Sequence, residues 1–484
     1  MDNRFEGVDA VVLGLGMTGL SLARHLAHHG ARVRVADTRR DPPNRAALAA
    51  ALPDVPLEAG EFSEATFAGA DLIAISPGVA QNQPAIRAAV EAGATLVGDI
   101  ELFARALPVD QKVLAVTGTN GKSTVASLTG ALTRAAGLST IVAGNIGHAV
   151  LDALDRIEAG APWPDVFVLE LSSYQLETTT SLRPVAATVL NVSPNHMDRY
   201  AGLADYAGAK ARIFEHASVQ VLNRDDAIVR LMRLPGRTTQ TFGASVPLSE
   251  EEWGLVLRSS GTWLARGGEL IMQAKHLALV GRHNAQNALA ALALASSVAK
   301  PGRAMQDALA EFRGLAHRMA PVAEAGDVLF IDDSKGTTVA ATQAALEGAG
   351  RPVVLIAGGD GKGQSFAPLR SSVDRACRAV LLIGRDAPQI ARALAGTSVR
   401  VESVGTLEIA VARAVDLALP GDAVLLSPAC ASLDQFRDYV ERGQRFAELV
   451  SARVGGRRCV SASPPAPPSA SPRLRRFRAS RARC

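Results

Sequence analysis

The chain has 484 residues, 48% of them hydrophobic and 20% charged, a globular composition with material for about three domains at roughly 150 residues each. Aromatic residues make up only 4%, which argues against a reader of single-stranded nucleic acid, and no run approaches the ~20 apolar residues of a membrane span. The net charge of +4 hides an asymmetry: residues 455–484 carry eight arginines and no acid, leaving −4 on the rest. The acidic start, MDNRFEGVDA, is unlike a secretory leader, so a cytoplasmic protein is expected, binding neither nucleic acid nor membrane. Cys377, Cys430, Cys459 and Cys484 lack the spacing of a zinc or redox pair.

An apolar strand at 9–16 opens the chain, and the pattern of apolar run, Gly-rich turn and helix recurs around 32–38, 70–78 and 94–98. This predicts a doubly wound α/β domain over 1–110. A new strand at 112–117 opens a second domain, 111–318, with strands at 165–171 and 185–192, hairpins around 254–280 and an Ala-rich helix over 284–299. Strand–helix alternation resumes with strands at 328–332, 352–357, 379–383 and 423–427, predicting a third α/β domain over 319–454. A hinge is expected near 318–326. Residues 455–484, rich in Pro, Ser and Arg, have almost nothing to bury and read as a disordered tail.

Two turns carry phosphate chemistry. Gly14-Leu15-Gly16-Met17-Thr18-Gly19 is a G-x-G-x-x-G between strand and helix, with Asp37 closing the next strand. Such glycines admit a diphosphate at a helix N-terminus, NAD being one candidate, or simply let the helix pack closely on the sheet. Gly118-Thr119-Asn120-Gly121-Lys122-Ser123-Thr124 lies between strand 112–117 and a helix, as a P-loop does. Backbone N–H groups there cradle phosphate oxygens, Lys122 reaches the β- and γ-phosphates, and Ser123 holds Mg²⁺, so ATP or another nucleoside triphosphate is expected. Position 116 is Val where the P-loop pattern has Gly. Glu170, inside the apolar run VFVLELS, requires a cation or a donor, and it is followed by Ser172, Ser173 and Gln175. Asn191, His196, Asp198 and Arg199 form a second polar cluster at a strand end; with a P-loop nearby, both clusters read as Mg²⁺ ligands.

GTNGKST, GNIG at 144–147, ELSSYQLE at 170–177, NHMDRY at 195–200, GRHNAQN at 281–287, HR at 317–318, DDSKGT at 332–337, GGDGKG at 358–363 and LSPACASLDQF at 426–436 together resemble the Mur ligases of peptidoglycan synthesis, and within them the branch that adds D-glutamate. The resemblance covers roughly 8–453 and implies a Rossmann-like N-terminal domain, a central P-loop ATPase-like domain and a Rossmann-like C-terminal domain. It turns the first Gly-rich turn from NAD toward the UDP part of UDP-N-acetylmuramoyl-L-alanine, with Leu15, Met17, Thr18, Asp37, Thr38, Arg39 and Gly78 around it. It implies ATP held by the Gly118–Thr124 loop with Asn284, Asn287, Arg318 and Asp333, while Asn145, Ser172, Gln175 and His196 face the muramoyl-alanine end. Two Mg²⁺ ions are implied, one by Ser123 and Glu170, the other by His196 and a carbamylated Lys210. Thr337, Lys362, Ser432 and Tyr439 would receive D-glutamate, and Lys335 would assist at the phosphates. Tyr439 stands where the family has Phe, and the run from HMDRY to Lys210 is one residue shorter than the family pattern. The implied activity is cytoplasmic, ATP-dependent amide synthesis through an acyl phosphate by a monomer, with Lys122, His196, Lys210, Asn145, Arg318 and Lys335 at the reacting groups. A dehydrogenase or a non-catalytic nucleotide-binding regulator would leave most of these motifs unexplained.

Overall fold

The computed structural model describes residues 4–455 except His148, Asp198, Val280, Lys362 and Gly363. Among these residues the chain divides into two compact units, meeting in sequence at Leu315 and Ala316. None of its described helices is long and apolar enough to cross a membrane.

The first unit holds two sheets. Strands β1 (Asp9–Leu13), β2 (Arg32–Asp37), β3 (Leu57–Ala59), β4 (Leu72–Ile75) and β5 (Thr95–Val97) form an all-parallel sheet in the order β3-β2-β1-β4-β5. The order reverses beside β1, so the Gly-rich turn after it opens into the crevice where such sheets take ligands. The run DAVVL is almost entirely buried because helices cover both faces, and apolar residues therefore need not alternate with polar ones.

The second sheet contains β6 (Lys112–Thr117), β7 (Thr140–Gly144), β8 (Val166–Glu170), β9 (Ala186–Val189), β10 (Val219–Asn223), β11 (Thr238–Phe242), β12 (Glu252–Arg258), β13 (Gly261–Arg266) and β14 (Glu269–Gln273). Their order is β14-β13-β12-β11-β10-β9-β6-β8-β7. Strands β6 to β12 pair in parallel, and β12 to β14 finish as the expected antiparallel meander. The Ala-rich helix spans Arg282–Ser296. Its small side chains let it bury against helix Lys122–Ala135, with Ala288 to Ala295 fully enclosed.

These two sheets share one hydrophobic core. Leu22 and Leu26 of helix Met17–His28 pack with Leu151 and Leu154 of helix Val150–Glu158, and the Phe103 ring meets Phe167 edge-on at 5.0 Å. Helix Asp99–Ala106 supplies the polar part of the seam. Glu101 accepts from the backbone N–H groups of Thr180 and Ser181 at 2.7 and 2.9 Å, from the Ser181 hydroxyl at 2.7 Å, and from Arg105 at 2.8 Å. Burial alone would raise its carboxyl, but these donors hold it down at about 2. Asp99, with the Gln175 amide at 3.0 Å, is pushed up by burial to about 6.

The second unit forms a six-stranded sheet from β15 (Ala320–Ala325), β16 (Val328–Asp332), β17 (Val353–Gly358), β18 (Cys377–Ile383), β19 (Arg400–Gly405) and β20 (Ala423–Leu426), in the order β15-β16-β20-β17-β18-β19. All pairs are parallel except β15 with β16. The segment around 318–326 contains β15, an edge strand tied to β16 by ladder bonds, and the second unit begins at Ala316. Of the expected tail, only Gly455 lies among the described residues.

Asp99 and Glu101 generate opposite pH predictions. Glu101 has its folded-state value below the ordinary 4.5, so its contribution is complete above that pH and fades as pH falls toward about 2; Glu101→Gln should cost about 2 kcal/mol at pH 7 and flatten the acid limb of melting temperature against pH. Asp99 has its value raised from 3.8, so its cost appears as pH rises through about 6; Asp99→Asn should raise the melting temperature at pH 7.5 and leave it unchanged near pH 3.5, on the order of the ordinary carboxyl value.

Candidate functional site

The loop after β6 is shaped by two glycines with positive φ. Gly118 (φ 149°) runs so close to β9 that a Cβ on it would meet Leu190 Cβ at 3.0 Å. Gly121 (φ 83°) opens helix Lys122–Ala135, and a Cβ there would come within 2.8 Å of Asn287 Oδ1. Asn191 braces the loop: its Oδ1 accepts from the Asn120 N–H at 2.8 Å, its Nδ2 donates to the Asn120 carbonyl at 3.1 Å, and its own carbonyl accepts from Thr119 N–H at 2.9 Å. The result is a braced glycine loop leading into a helix N-terminus, a setting suited to phosphate.

Cationic and anionic groups converge on this loop. Lys122 Nζ donates to the carbonyls of Gly118 and Thr119, both at 2.9 Å. Lys210, only 1% exposed on helix Leu203–Ala211, donates to the same Gly118 carbonyl at 2.9 Å. Its Nζ lies over the Tyr206 ring, 4.4 Å from the centroid. Burial, reinforced by the Lys122 charge and only partly offset by Glu170, drives the Lys210 amine well below its ordinary range. Glu170 ends β8 in register with Val116 and Gly144; its Oε1 accepts from Asn145 Nδ2 at 2.9 Å. Its Oε2 is buried and has no hydrogen-bond partner among the described residues. Ser123, completely buried, begins the adjoining helix. An orphaned buried carboxylate oxygen on the strand paired with β6, which leads into the loop, suits a hard divalent cation such as Mg²⁺.

His196 sits at an exposed loop position with φ 58°, its ring 4.9 Å from Tyr174 and 6.3 Å from Tyr206. Tyr206 in turn reaches Thr119 Oγ1 at 3.4 Å, so His196, Lys210 and the loop are linked through one buried phenol. Asn287 donates to Asn284 at 3.2 Å at the start of helix Arg282–Ser296, against Gly121. Thr124 lies in the first turn of helix Lys122–Ala135.

In the first Gly-rich turn, Asp37 is the organiser. It accepts from Leu15 N–H at 2.6 Å and from Arg39 through its N–H at 2.8 Å and its guanidinium at 2.6 and 2.9 Å. Burial opposes its charge, but these donors bring it down to about 2. Gly19 is required by packing, since a Cβ would fall 1.7 Å from the Gly14 carbonyl oxygen, whereas Gly16 has open space. Met17 is 72% exposed beside that space, and Thr38 is exposed after β2. Leu15, expected at the ligand, has its side chain wholly in the core, so only its backbone faces the turn.

Gly78 follows Pro77, whose carbonyl accepts from Arg199 at 2.9 Å. Arg199 also stacks on Tyr174 at 3.9 Å and pairs with Glu177 at 3.0 Å; Gln81 and Tyr200 donate to that same Glu177. Ser172 and Gln175, expected at the substrate, form a capping box on helix Ser173–Glu177, and the Gln175 amide is spent on Asp99.

The second unit gathers its own cluster where β16, β20 and β17 end. Asp333 accepts from Ser427 Oγ at 2.7 Å and Met319 N–H at 3.2 Å. Burial, with a push from Asp332, lifts it to about 7 against the opposing pull of Ser427 and the Arg318 charge. His317 pairs with Asp332 at 2.6 Å and meets the Tyr439 ring at 6.2 Å, over which Lys335 Nζ lies at 4.9 Å. Thr337 bonds back to the Lys335 carbonyl at 2.8 Å, and Ser432 is buried beyond the Ala429–Gly336 contact. Lys362 lies outside the described residues. Arg442, missed in the sequence, is 1% exposed and donates to Ser334 Oγ at 2.9 Å, to the Ser334 carbonyl at 2.8 Å and to the Cys430 carbonyl at 3.1 Å, locking the 333–335 turn to the segment after β20. Its surroundings, ERGQRF, carry the polar pattern of a solvent face and gave no signal.

Known proteins match this arrangement along the chain. A Mur ligase MurD-like N-terminal domain matches residues 8–98, a Mur ligase middle domain 116–295, and a Mur ligase glutamate ligase domain 317–430. UDP-N-acetylmuramoylalanine–D-glutamate ligase of Chromobacterium violaceum is 54% identical over 91% of this chain and 97% of its own; the protein of that name from Aromatoleum aromaticum is 53% identical over 91% and 96%. The crystal structure of UDP-N-acetylmuramate-alanine ligase MurC from Thermotoga maritima shares the fold, with a TM-score of 0.58 at 19% identity over 92% of this chain and 99% of that one. A matching domain for each sheet in chain order, and relatives above 50% identity along nearly their whole length, establish that the chain belongs to the Mur ligase family.

Proposed function

We propose that the protein is an ATP-dependent, ADP-forming ligase that joins D-glutamate to UDP-N-acetylmuramoyl-L-alanine in peptidoglycan precursor synthesis. The observation that carries this reading is the 54% identity to a D-glutamate ligase over 91% of the chain, together with a P-loop on which two lysines converge. The site residues follow by domain. Met17, Thr18, Asp37, Thr38, Arg39, Gly78 and the Leu15 backbone take the UDP group; the open space at Gly16 supports close approach of a diphosphate. The Gly118–Thr124 loop with Asn284 and Asn287 takes ATP, and Asn145, Ser172, Gln175 and His196 serve the muramoyl-alanine end. Arg318, Asp333 and Lys335 act at the phosphates, with Thr337, Ser432, Tyr439 and Lys362 at D-glutamate. We place the working enzyme in the cytoplasm, as a monomer, with 1–110, 111–318 and 319–454 as its functional domains.

The alanyl carboxylate attacks the γ-phosphorus of ATP, an O–P bond forming as the bond to the β-phosphate oxygen breaks and ADP leaves. The amine of D-glutamate then attacks the acyl phosphate carbonyl, and the tetrahedral adduct expels inorganic phosphate as the amine proton passes to solvent. Lys122 exchanges two neutral carbonyl acceptors for phosphate oxygens, a stronger charge-assisted contact that grows as charge builds on the transferring group. Ser123 and Glu170 would hold one Mg²⁺, and His196 and Lys210 a second; bound Mg²⁺ supplies charge neutralisation at the phosphates. For Lys210 this requires carbamylation, because an ammonium has no lone pair for a cation. Its depressed basicity supports that chemistry: a neutral amine attacks the carbon of CO₂, an N–C bond forms as electrons move to oxygen, and one N–H proton leaves.

Phosphate release from ATP and Mg²⁺ with UDP-N-acetylmuramoyl-L-alanine tests the assignment when D-glutamate, L-glutamate, L-alanine, meso-diaminopimelate and D-Ala-D-Ala are supplied separately. Turnover with D-glutamate alone is expected, giving the UDP-linked dipeptide by mass spectrometry. Turnover with another amino acid instead refutes the D-glutamate assignment, and silence with all five in folded protein refutes the ligase. Lys122→Ala should lower kcat by at least about 10²-fold with little change in melting temperature, since the lysine is partly exposed and its contacts are to loop carbonyls.

A further inference from the structure

Away from the P-loop, helix Met17–His28 and the residue after it face helix Val150–Glu158 along a matched ridge. Ser21, His25 and His29 recur every four residues on one side; Asp152, Asp155 and Glu158 recur every three on the other. Both spacings keep side chains on a single helix face. The pairs close in order: Ser21 Oγ to Asp152 at 2.7 Å, His25 Nδ1 to Asp155 Oδ1 at 2.6 Å, and His29 Nε2 to Glu158 Oε2 at 2.8 Å.

From this geometry we propose that His25, His29, Asp155 and Glu158 form a binding site for a zinc-class divalent ion that clamps the N-terminal sheet to the central one. One ligand atom from each of the four lies within 4.8 Å of all the others. A tetrahedral ion with bonds of about 2.0–2.1 Å needs its ligand atoms about 3.3 Å apart, so the two short contacts must open by roughly half an ångström while the longer ones close. Side-chain torsions alone can make such an adjustment. The imidazoles are already directed: both are 2% exposed, with ring centroids 4.5 Å apart and planes tilted by 57°. Asp155 and Glu158 keep 26% and 17% of their side chains accessible, which leaves an entry path from solvent. Arg4 holds the other Glu158 oxygen, Oε1, at 3.1 Å, orienting the carboxylate and leaving Oε2 toward the histidines.

Donor chemistry selects the ion. Two imidazole nitrogens and two carboxylates suit zinc and its borderline neighbours; magnesium and calcium favour all-oxygen sets, and copper(I) favours sulfur. Two neutral imidazoles, two carboxylates and a doubly charged ion sum to zero, which lowers the cost of burial. Four protein ligands leave no open position, so the site is structural, and its ligands lie on the helix that begins at the first Gly-rich turn and on a helix of the central sheet. Each ring nitrogen that shares a proton with its carboxylate must release it, or pass it to the other ring nitrogen, before it binds the ion, so affinity declines in acid.

The test uses the full chain stripped with chelator, then dialysed against zinc with excess magnesium present to occupy oxygen-rich sites. One equivalent of zinc per chain is expected by elemental analysis, a rise in melting temperature on adding zinc, and the intense visible absorption of a tetrahedral ion when cobalt(II) is used instead. In His29→Gln and in Glu158→Gln zinc affinity should fall by at least about 100-fold and the thermal gain should vanish. Should either variant fold poorly, the wild-type stoichiometry and cobalt spectrum decide alone. Absence of stoichiometric zinc, an octahedral cobalt spectrum, or undiminished zinc in the folded His25→Gln/His29→Gln double variant would overturn the proposal, leaving the cluster as two histidine–carboxylate ion pairs.

Discussion

Two lysines, Lys122 and Lys210, direct their side-chain nitrogens at one carbonyl oxygen, that of Gly118, each at 2.9 Å. A buried carbonyl cannot compensate two full positive charges, and Lys210, enclosed on nearly every side, is the one that gives way. Much of the central site follows from this arrangement. Gly118 must be glycine because its φ and its approach to Leu190 exclude a side chain, and that approach is what brings its carbonyl within reach of both helices. Glu170, one strand over, partly offsets the surplus charge with a carboxylate whose second oxygen is buried without a hydrogen-bond partner among the described residues.

Each sheet presents its chemistry at the carboxyl ends of its strands, where the order reverses: beside β1, beside β6, and where β16, β20 and β17 lie adjacent. Around these points carboxylates are tuned by their immediate donors. Asp37 and Glu101 are held in the charged form by converging N–H groups and arginines; Asp99 and Asp333, more deeply enclosed, are pushed toward the protonated form. Charge in this protein is therefore set locally, and the net charge of the chain says little about any one site.

Much of the fold was legible in the sequence because fully buried parallel strands appear as unbroken apolar runs, as in DAVVL and VVLIAG. Two of the strands that escaped carry other patterns. β11 is TTQTF, polar in composition though paired on both sides, and β15 begins APV at a sheet edge, where proline is tolerated. The phosphate loop was readable because glycine spacing between strand and helix has few other uses. Residues acting across long sequence distances were not: Glu177 joins Gln81, Arg199 and Tyr200, and Arg442 reaches Ser334 and Cys430. The family resemblance placed Gln175 at the substrate, but the motif gave no sign that its side chain also forms a capping box with Ser172 and reaches Asp99. Tyr206 did leave a trace, four residues before Lys210 on one helix face, which places its ring under the lysine Nζ.

The central claim is that burial and the nearby Lys122 charge lower the basicity of Lys210 enough for it to take up CO₂. Carbon-13 NMR of the protein equilibrated with ¹³C-bicarbonate at neutral pH tests it most directly. A single protein-bound carbamate resonance that disappears in Lys210→Arg is the predicted result, since surface lysines remain protonated under those conditions. No carbamate signal in the wild-type protein, or one that persists in Lys210→Arg, would contradict the account.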